Sequence, residues 1–297
     1  MNGDNKHPQL LDFIGPPRRV ISLVPSMTES IFDLGAGEYL VGITDLCLVP
    51  ENAAHRLVRL GGPKSPQITE VIGLAPDLVI ANQEENRLED VEAIEEAGLR
   101  VWVTFPRTVE EAIKILWVLV RLFHVEGLSS SRIRTLEVTV EWTTHAARGR
   151  PPVRVFCPIG GGESVYGHWW ITFNRETYAH NLLSCCGGLN IFADRTRCYP
   201  LEADLGQAPA EDPGKRDTRY PRVTPDEVIT LAPEVILLPA VGSTGDVQYV
   251  QLTELLVKTP AVLDGRVHQI DNRLISWHGT RLAKSLAEIP TYLQLKQ

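Results

Sequence analysis

The chain has 297 residues, with 37 acidic against 29 basic side chains and a formal charge of −8. That balance argues against nucleic acid as a partner, and 43% apolar with 22% charged residues excludes bulk disorder. The length suits two domains, each able to bury a core, and the longest apolar run, Ile115 to Val120, is far short of the roughly 20 residues that span a bilayer.

The first residues, Met1 to Lys6, are polar, and no apolar segment precedes the first strand. No export signal is read there, and the chain is expected to be cytoplasmic. The cysteines, Cys47, Cys157, Cys185, Cys186 and Cys198, are odd in number and lack C-x-x-C spacing, so they read as reduced thiols.

In the first half, Val20 to Val24, Leu40 to Ile43, Leu78 to Ala81 and Val101 to Thr104 are short apolar runs of the kind that parallel strands make when both faces are covered. Helical patterns lie between and after them: Thr28 to Leu34, Ile68 to Leu74, Leu88 to Ala97 and Val109 to Phe123. Ser26 and Thr28 read as caps of the first helix, with Glu29 in its first turn. Gly127 to Arg148 then predicts one long connecting helix.

The second half repeats the scheme. Val153 to Phe156, Val235 to Leu238 and Val267 to Ile270 are its predicted strands; Tyr178 to Cys186, Asp226 to Leu231, Tyr249 to Leu256 and Thr280 to Leu293 are its helices. Pro158 to Asn174 and Ala208 to Tyr220 read as loops. Residues 68–80 match residues 225–237 at a constant offset of 157, each copy a short helix, a proline that stops it and a strand. The fold expected is therefore α/β: two Rossmann-like β/α lobes, residues 1–124 and 150–297, joined by a backbone helix at 125–149, with a ligand cleft between the lobes.

In open α/β sheets ligands sit beyond the carboxyl ends of the strands. The segments to inspect are Pro25 to Glu29, Thr44 to Cys47, Asn82 to Arg87, Phe105 to Thr108, Pro158 to Asn174 and Ser276 to Gly279. They bring forward Asp45, Leu46, Glu84, Phe105, Arg107, Trp169, Trp170, Trp277 and His278 as candidate ligand contacts. Trp169 and Trp170 are neighbours, so on an extended segment only one of them can face a core. Nucleotide-loop, H-E-x-x-H, G-x-S-x-G and EF-hand patterns are absent. Two alternatives are kept: an enzyme using Asp45, His168 or His278 for acid–base chemistry, and a direct metal-ion binder drawing on Asp45, Cys47, His168 and His278.

Between Arg18 and Leu295 the chain resembles the periplasmic-binding-protein family whose lobes are joined by a rigid helix, and within it the cobalamin-binding branch, substrate-binding proteins of vitamin B12 and iron-chelate ABC importers. The matching pieces are Arg19 to Glu29, Val41 to Asp45, Leu74 to Val79, Cys186 to Asp194 and Leu274 to Gly279. The resemblance implies a monomeric receptor without catalysis or a resident cofactor, binding a corrinoid, heme or a ferric siderophore. It also implies that Asp45, Leu46, Phe105, Trp169, Trp170 and Trp277 form the site, although the cobalamin receptor carries a tyrosine where Leu46 stands. Family receptors dock on the permease through one glutamate on each lobe. Those positions fall on Thr69 and Asp226, with Glu70 one place along, so the first lobe departs from the pattern and docking on an importer is in question. Family members are normally periplasmic or lipid-anchored.

Overall fold

The structure is a computed structural model that describes residues 15–240 and 245–294, excluding the side chains of residues 245–248. The polar first residues and Leu295 lie outside the described residues. The chain forms two compact units: one runs to Glu137 and takes back Trp277–Leu282, the other comprises Val138–Ser276 and resumes at Ala283.

The first unit contains β1 (Val20–Ser22), α1 (Pro25–Asp33), β2 (Leu40–Ile43), α2 (Glu51–Ala54), β3 (Val58–Arg59), β4 (Gly61–Gly62), β5 (Ser65–Pro66), α3 (Ile68–Gly73), β6 (Leu78–Asn82), α4 (Leu88–Glu96), β7 (Val101–Thr104) and α5 (Val109–Phe123). Its main sheet is wholly parallel, in the order β3-β2-β1-β6-β7. β1 and β6 are buried along their whole length, which is why they read as unbroken apolar runs. Ile21, Leu23, Val79, Ala81 and Val101 pack there with Val71 and Ile94 from the helices.

The connecting helix α6 (Glu126–Arg148) follows, with Gly127 outside helical geometry at its start. The second unit then adds β8 (Val153–Phe156), β9 (Gly160–Ser164), β10 (Gly167–Ile171), α7 (Tyr178–Cys185), β11 (Gly188–Asn190), α8 (Leu201–Asp204), β12 (Arg222–Val223), α9 (Pro225–Leu231), β13 (Val235–Ala240), α10 (Gly245–Leu255), α11 (Pro260–Leu263), β14 (Val267–Asp271), α12 (Arg273–Ser276) and α13 (Leu282–Leu293), the last beginning at the end of the segment that returns to the first unit. Its parallel sheet runs β11-β8-β13-β14, and beside it stands an antiparallel sheet, β12-β10-β9. Among the described residues no helix is long and apolar enough to cross a membrane.

Two expectations are corrected. The first helix begins at Pro25 with Val24 at its cap, so Ser26 and Thr28 lie inside it; the Thr28 hydroxyl donates back to the Val24 carbonyl instead of capping. The Gly-rich stretch after β8 is not a loop but the hairpin β9–β10. A Cβ on Gly162 would lie 2.7 Å from the Trp169 ring, so the glycines let the indole cover the strand. Trp170, on the opposite face, is only 6% exposed and meets Phe156 edge-on at 5.7 Å.

The sequence repeat is also a structural one. At its matching positions Ala75 and Ala232 both take the left-handed conformation, with φ of 45° and 43°, between the end of a short helix and a proline. Each junction is clamped by an arginine near the start of the unit's first strand. Arg19 Nη2 donates to the Leu74 carbonyl at 2.7 Å; Arg154 donates to the carbonyls of Leu231 and Ala232. The carboxylates of Asp77 and Glu234, also at matching positions, accept the main-chain N–H of Arg19 and Arg154 at 2.9 and 2.8 Å. The arginines thereby satisfy carbonyls that a helix end leaves open.

A left-handed alanine costs about 1 to 2 kcal/mol, more than glycine loses in backbone entropy. Replacing both Ala75 and Ala232 by Gly is expected to stabilise the protein by about 0.5 to 1 kcal/mol in urea unfolding. Arg154→Met is expected to destabilise it by roughly 1 to 3 kcal/mol, because part-buried carbonyls lose their donor.

Candidate functional site

In the first unit, the segments beyond β2, β6 and β7 hold Asp45, Leu46, Glu84, Phe105 and Arg107, and the returning segment holds Trp277 and His278. Asp45 and Leu46 follow β2; both are exposed, Leu46 by 64%. Arg59 fixes this turn by donating to the carbonyls of Thr44, Asp45 and Cys47 at 3.0 to 3.1 Å. Cys47 points inward between the hydroxyls of Thr28 and Thr44, at 3.1 and 3.2 Å, and burial pushes its thiol up. It therefore does not join Asp45 in a metal site, and among the described residues no group of three or more His, Cys, Asp or Glu could hold an ion.

Phe105 is half-buried after β7, with the exposed Arg107 guanidinium 6.0 Å from its ring centroid. The next helix is fixed by its cap: the Thr108 hydroxyl accepts the Glu111 N–H, and the Glu111 carboxylate accepts the Arg107 N–H at 2.7 Å. Beyond β6, the Asn82 side-chain oxygen accepts the N–H groups of Glu84 and Glu85 at 2.8 and 3.3 Å, and the Lys64 ammonium donates to the Glu84 carbonyl. Asn82 also places its amide nitrogen 3.5 Å from His278 Nε2.

Trp277 and His278 belong to the returning segment. It is anchored by Thr280 N–H to Ser30 Oγ at 3.1 Å and by Arg281 to the Glu29 carboxylate at 2.9 Å. Gly279, with φ of +89°, passes so near Ser30 that a Cβ would lie 2.2 Å from its hydroxyl, so only glycine fits. His278 is 5% exposed, and burial pushes its ring down to about 4, so it is neutral at physiological pH. Trp277 stays partly open, with the Arg281 guanidinium 5.5 Å from its ring.

In the second unit, a pocket of about 510 Å³ lies at the carboxyl ends of β8 and β13, bounded by Pro158, Gly161, His168, Trp170, Pro239 and Gln251. His168 Nδ1 is 3.4 Å from the Gln251 amide and 4.0 Å from Glu163, while Nε2 is buried with no partner. Burial holds this histidine below its ordinary value despite Glu163. Trp169 lies half-buried on the other face of the hairpin, with Arg222 5.9 Å from its ring. A larger pocket, about 1,050 Å³, lies along edge strand β11 between α7 and α9 and includes Asp226. The strand-end loops outrank it as a ligand site, because it lies along the side of the sheet.

Asp226 and Glu70 are both exposed, in the first turns of α9 and α3. Gln251 and Arg222 were missed by sequence reasoning, and Asn82 entered it only as the start of the segment Asn82 to Arg87. Asn82 ends an apolar strand and resembles any turn residue, and nothing local marks Arg222 as facing Trp169.

Glu85, in the same segment as Glu84, is a titrating group of its own. Burial, followed by repulsion from Glu84, pushes its carboxyl up to about 7 against the pull of Lys64. Between the ordinary glutamate value, about 4.3, and 7 the folded unit holds a proton that the unfolded chain releases. Its stabilising contribution is therefore complete below that range and lost as pH rises through about 7. His278 acts oppositely, losing its contribution as pH falls toward 4. Glu85→Gln is expected to gain stability over the wild type by roughly 2 kcal/mol between pH 5 and pH 8 in urea unfolding. A difference that does not change with pH would place the Glu85 carboxyl in water.

No family model matches the chain. It is 22% identical over 275 residues to the vitamin B12-binding protein of Vibrio campbellii, spanning 93% of this chain and 89% of that protein. Among solved structures it is similar to the periplasmic vitamin B12 binding protein BtuF of Vibrio cholerae, with a TM-score of 0.72, 21% identity and coverage of 94% and 97% of the two chains. It is equally similar in identity to the periplasmic heme-binding protein RhuT of Roseiflexus sp. RS-1, with a TM-score of 0.70 and coverage of 93% and 97%. The chain thus has the helical-backbone, class III periplasmic-binding-protein fold, two α/β lobes with parallel sheets connected through long helices. The similar proteins are binding proteins, in agreement with a chain that is not an enzyme. The expected cytoplasmic setting is corrected: these structures are of periplasmic proteins and support a periplasmic one. A polar first segment by itself carries no information on compartment.

Proposed function

We propose that this chain, with the class III periplasmic-binding-protein fold, is the substrate-binding component of an ABC importer and captures a tetrapyrrole-sized metal chelate, a corrinoid or heme, without altering it. The observation that carries this reading is the character of the strand-end loops. The first lobe's loops hold open or half-open apolar and aromatic side chains, Leu46, Phe105 and Trp277, on segments pinned by buried and part-buried polar bonds, and the hairpin β9–β10 of the second lobe holds the half-buried Trp169. Such loops suit a large flat ligand, since burying several hundred square ångströms at roughly 25 cal/mol per Å² supplies affinity without covalent chemistry. The likeness to both vitamin B12-binding and heme-binding proteins supports the chelate class.

Within this reading Asp45, Leu46, Glu84, Phe105, Arg107, Trp169 and Trp277 contact the ligand. His278 and Trp170, which are buried, hold their loops from below. The transporter partner is met through the exposed Asp226 and, in the first lobe, through the exposed Glu70, one place along from Thr69.

Titration of the purified protein with cyanocobalamin, hemin and a ferric siderophore, followed by ligand absorbance and calorimetry, is expected to give saturable one-to-one binding of one of them. Trp169→Ala is expected to weaken that binding at least tenfold. Silence from all three ligands would sink the proposal.

A further inference from the structure

We propose that the second lobe carries an oxyanion subsite made by the guanidinium groups of Arg197 and Arg222 and the indole N–H of Trp169, and that the chelate bound there presents a carboxylate. This deepens the receptor reading above and rests on it.

Strand pairing sets the geometry. Arg222 on β12 lies directly opposite Ile171 on β10, so Arg222 shares one face of the antiparallel sheet with Ile171 and Trp169, while Val223 and Trp170 share the face turned to the core. The segment from Arg195 to Arg222 is rich in arginine, and most of these charges are already matched. Arg195 pairs with Asp204 and Glu227, Arg216 with Glu211, and Arg219 with Asp217. Arg197 and Arg222 are the two of this segment with no carboxylate oxygen within 4.0 Å among the described residues.

What they do contact is aromatic or neutral. Arg197 stacks on the Tyr199 ring at 4.2 Å, a ring whose centroid Arg216 also approaches at 4.2 Å. Arg222 sits by the Trp169 ring and gives one N–H to the Tyr220 carbonyl at 2.9 Å. Asp217, bonded to Arg219, is within electrostatic reach of Arg197, and Asp204, which accepts the main-chain N–H of Arg222 at 2.8 Å, is within electrostatic reach of its guanidinium. Two donors remain buried with no acceptor, Arg197 Nε–H and Trp169 Nε1–H.

Native proteins rarely leave buried donors unmet, and a cluster with surplus donors, whose nearest carboxylates are already bonded to other groups, is the complement of an acceptor-rich anion. Burial, and then the neighbouring Arg197, pushes the Arg222 guanidinium below its ordinary value, a repulsion that an oxyanion would relieve. A guanidinium beside an indole also suits the rim of a flat ring, with the ring stacked on the aromatic face and its carboxylate on the cation. Heme carries peripheral carboxylates, whereas the corrin rim of cobalamin carries neutral amides.

The experiment titrates hemin, its dimethyl ester and cyanocobalamin against the wild type, Arg197→Gln, Arg222→Gln, the double variant and Arg216→Gln as a control. The wild type is expected to bind hemin at least tenfold tighter than the ester. The double variant should lose that preference, binding hemin and the ester alike, and Arg216→Gln should keep it. Raising the salt should weaken binding of hemin more than that of the ester. Equal wild-type affinity for hemin and ester, which requires no variant, would overturn the subsite and leave the receptor reading standing. So would binding of cyanocobalamin alone. Silence from all three probes and from a ferric siderophore would remove both.

Discussion

Each lobe depends on one junction, where a short helix is stopped by a left-handed alanine and a proline and the chain enters a central strand of the parallel sheet. At Ala75 and Ala232 the backbone accepts an unfavourable conformation. The return is a fixed direction for β6 and β13, which have neighbours on both sides in their sheets. The arginine that opens the lobe answers the carbonyls at this bend, and the acid two residues after each alanine answers the arginine's own N–H. Local strain is held by long-range hydrogen bonds, and the first and central strands are fastened at their amino ends.

With those ends fastened, the carboxyl ends are left to carry loops. The first lobe secures them with buried polar contacts. Asn82 turns the chain after β6 and meets His278, a residue nearly two hundred positions later in sequence, while Ser30 receives the backbone beside Gly279. Burial keeps the His278 ring neutral, so this anchor needs no counter-charge. The second lobe uses a hairpin, with Trp170 sunk into the core and Trp169 turned outward over Gly162. Apolar side chains are thereby held in place on rigid supports, which lowers the ordering cost when a ligand arrives.

Charge is distributed differently in the two lobes. In the first, Glu84 and Glu85 stand side by side, and burial and then the neighbouring Glu84 raise the Glu85 carboxyl to about 7. In the second, arginines collect beside Trp169 and Tyr199.

The sequence by itself determined the α/β class, nearly every core strand and the duplicated helix–proline–strand unit, because apolar runs and proline act locally. The span of α5 and the repeat at offset 157 needed no tertiary information. It also placed Trp169 and Trp170 on opposite faces, since an extended chain must alternate. Tertiary structure alone decided which tryptophan was core, that three glycines form a strand under an indole, that Cys47 is enclosed by two threonine hydroxyls, and that residues 277–282 return to the first unit. Arg197 and Arg222 escaped notice for the same reason. Their matched neighbours and their unmatched donors are set by groups distant in sequence, and a charge reveals whether it is paired only when the chain has folded around it.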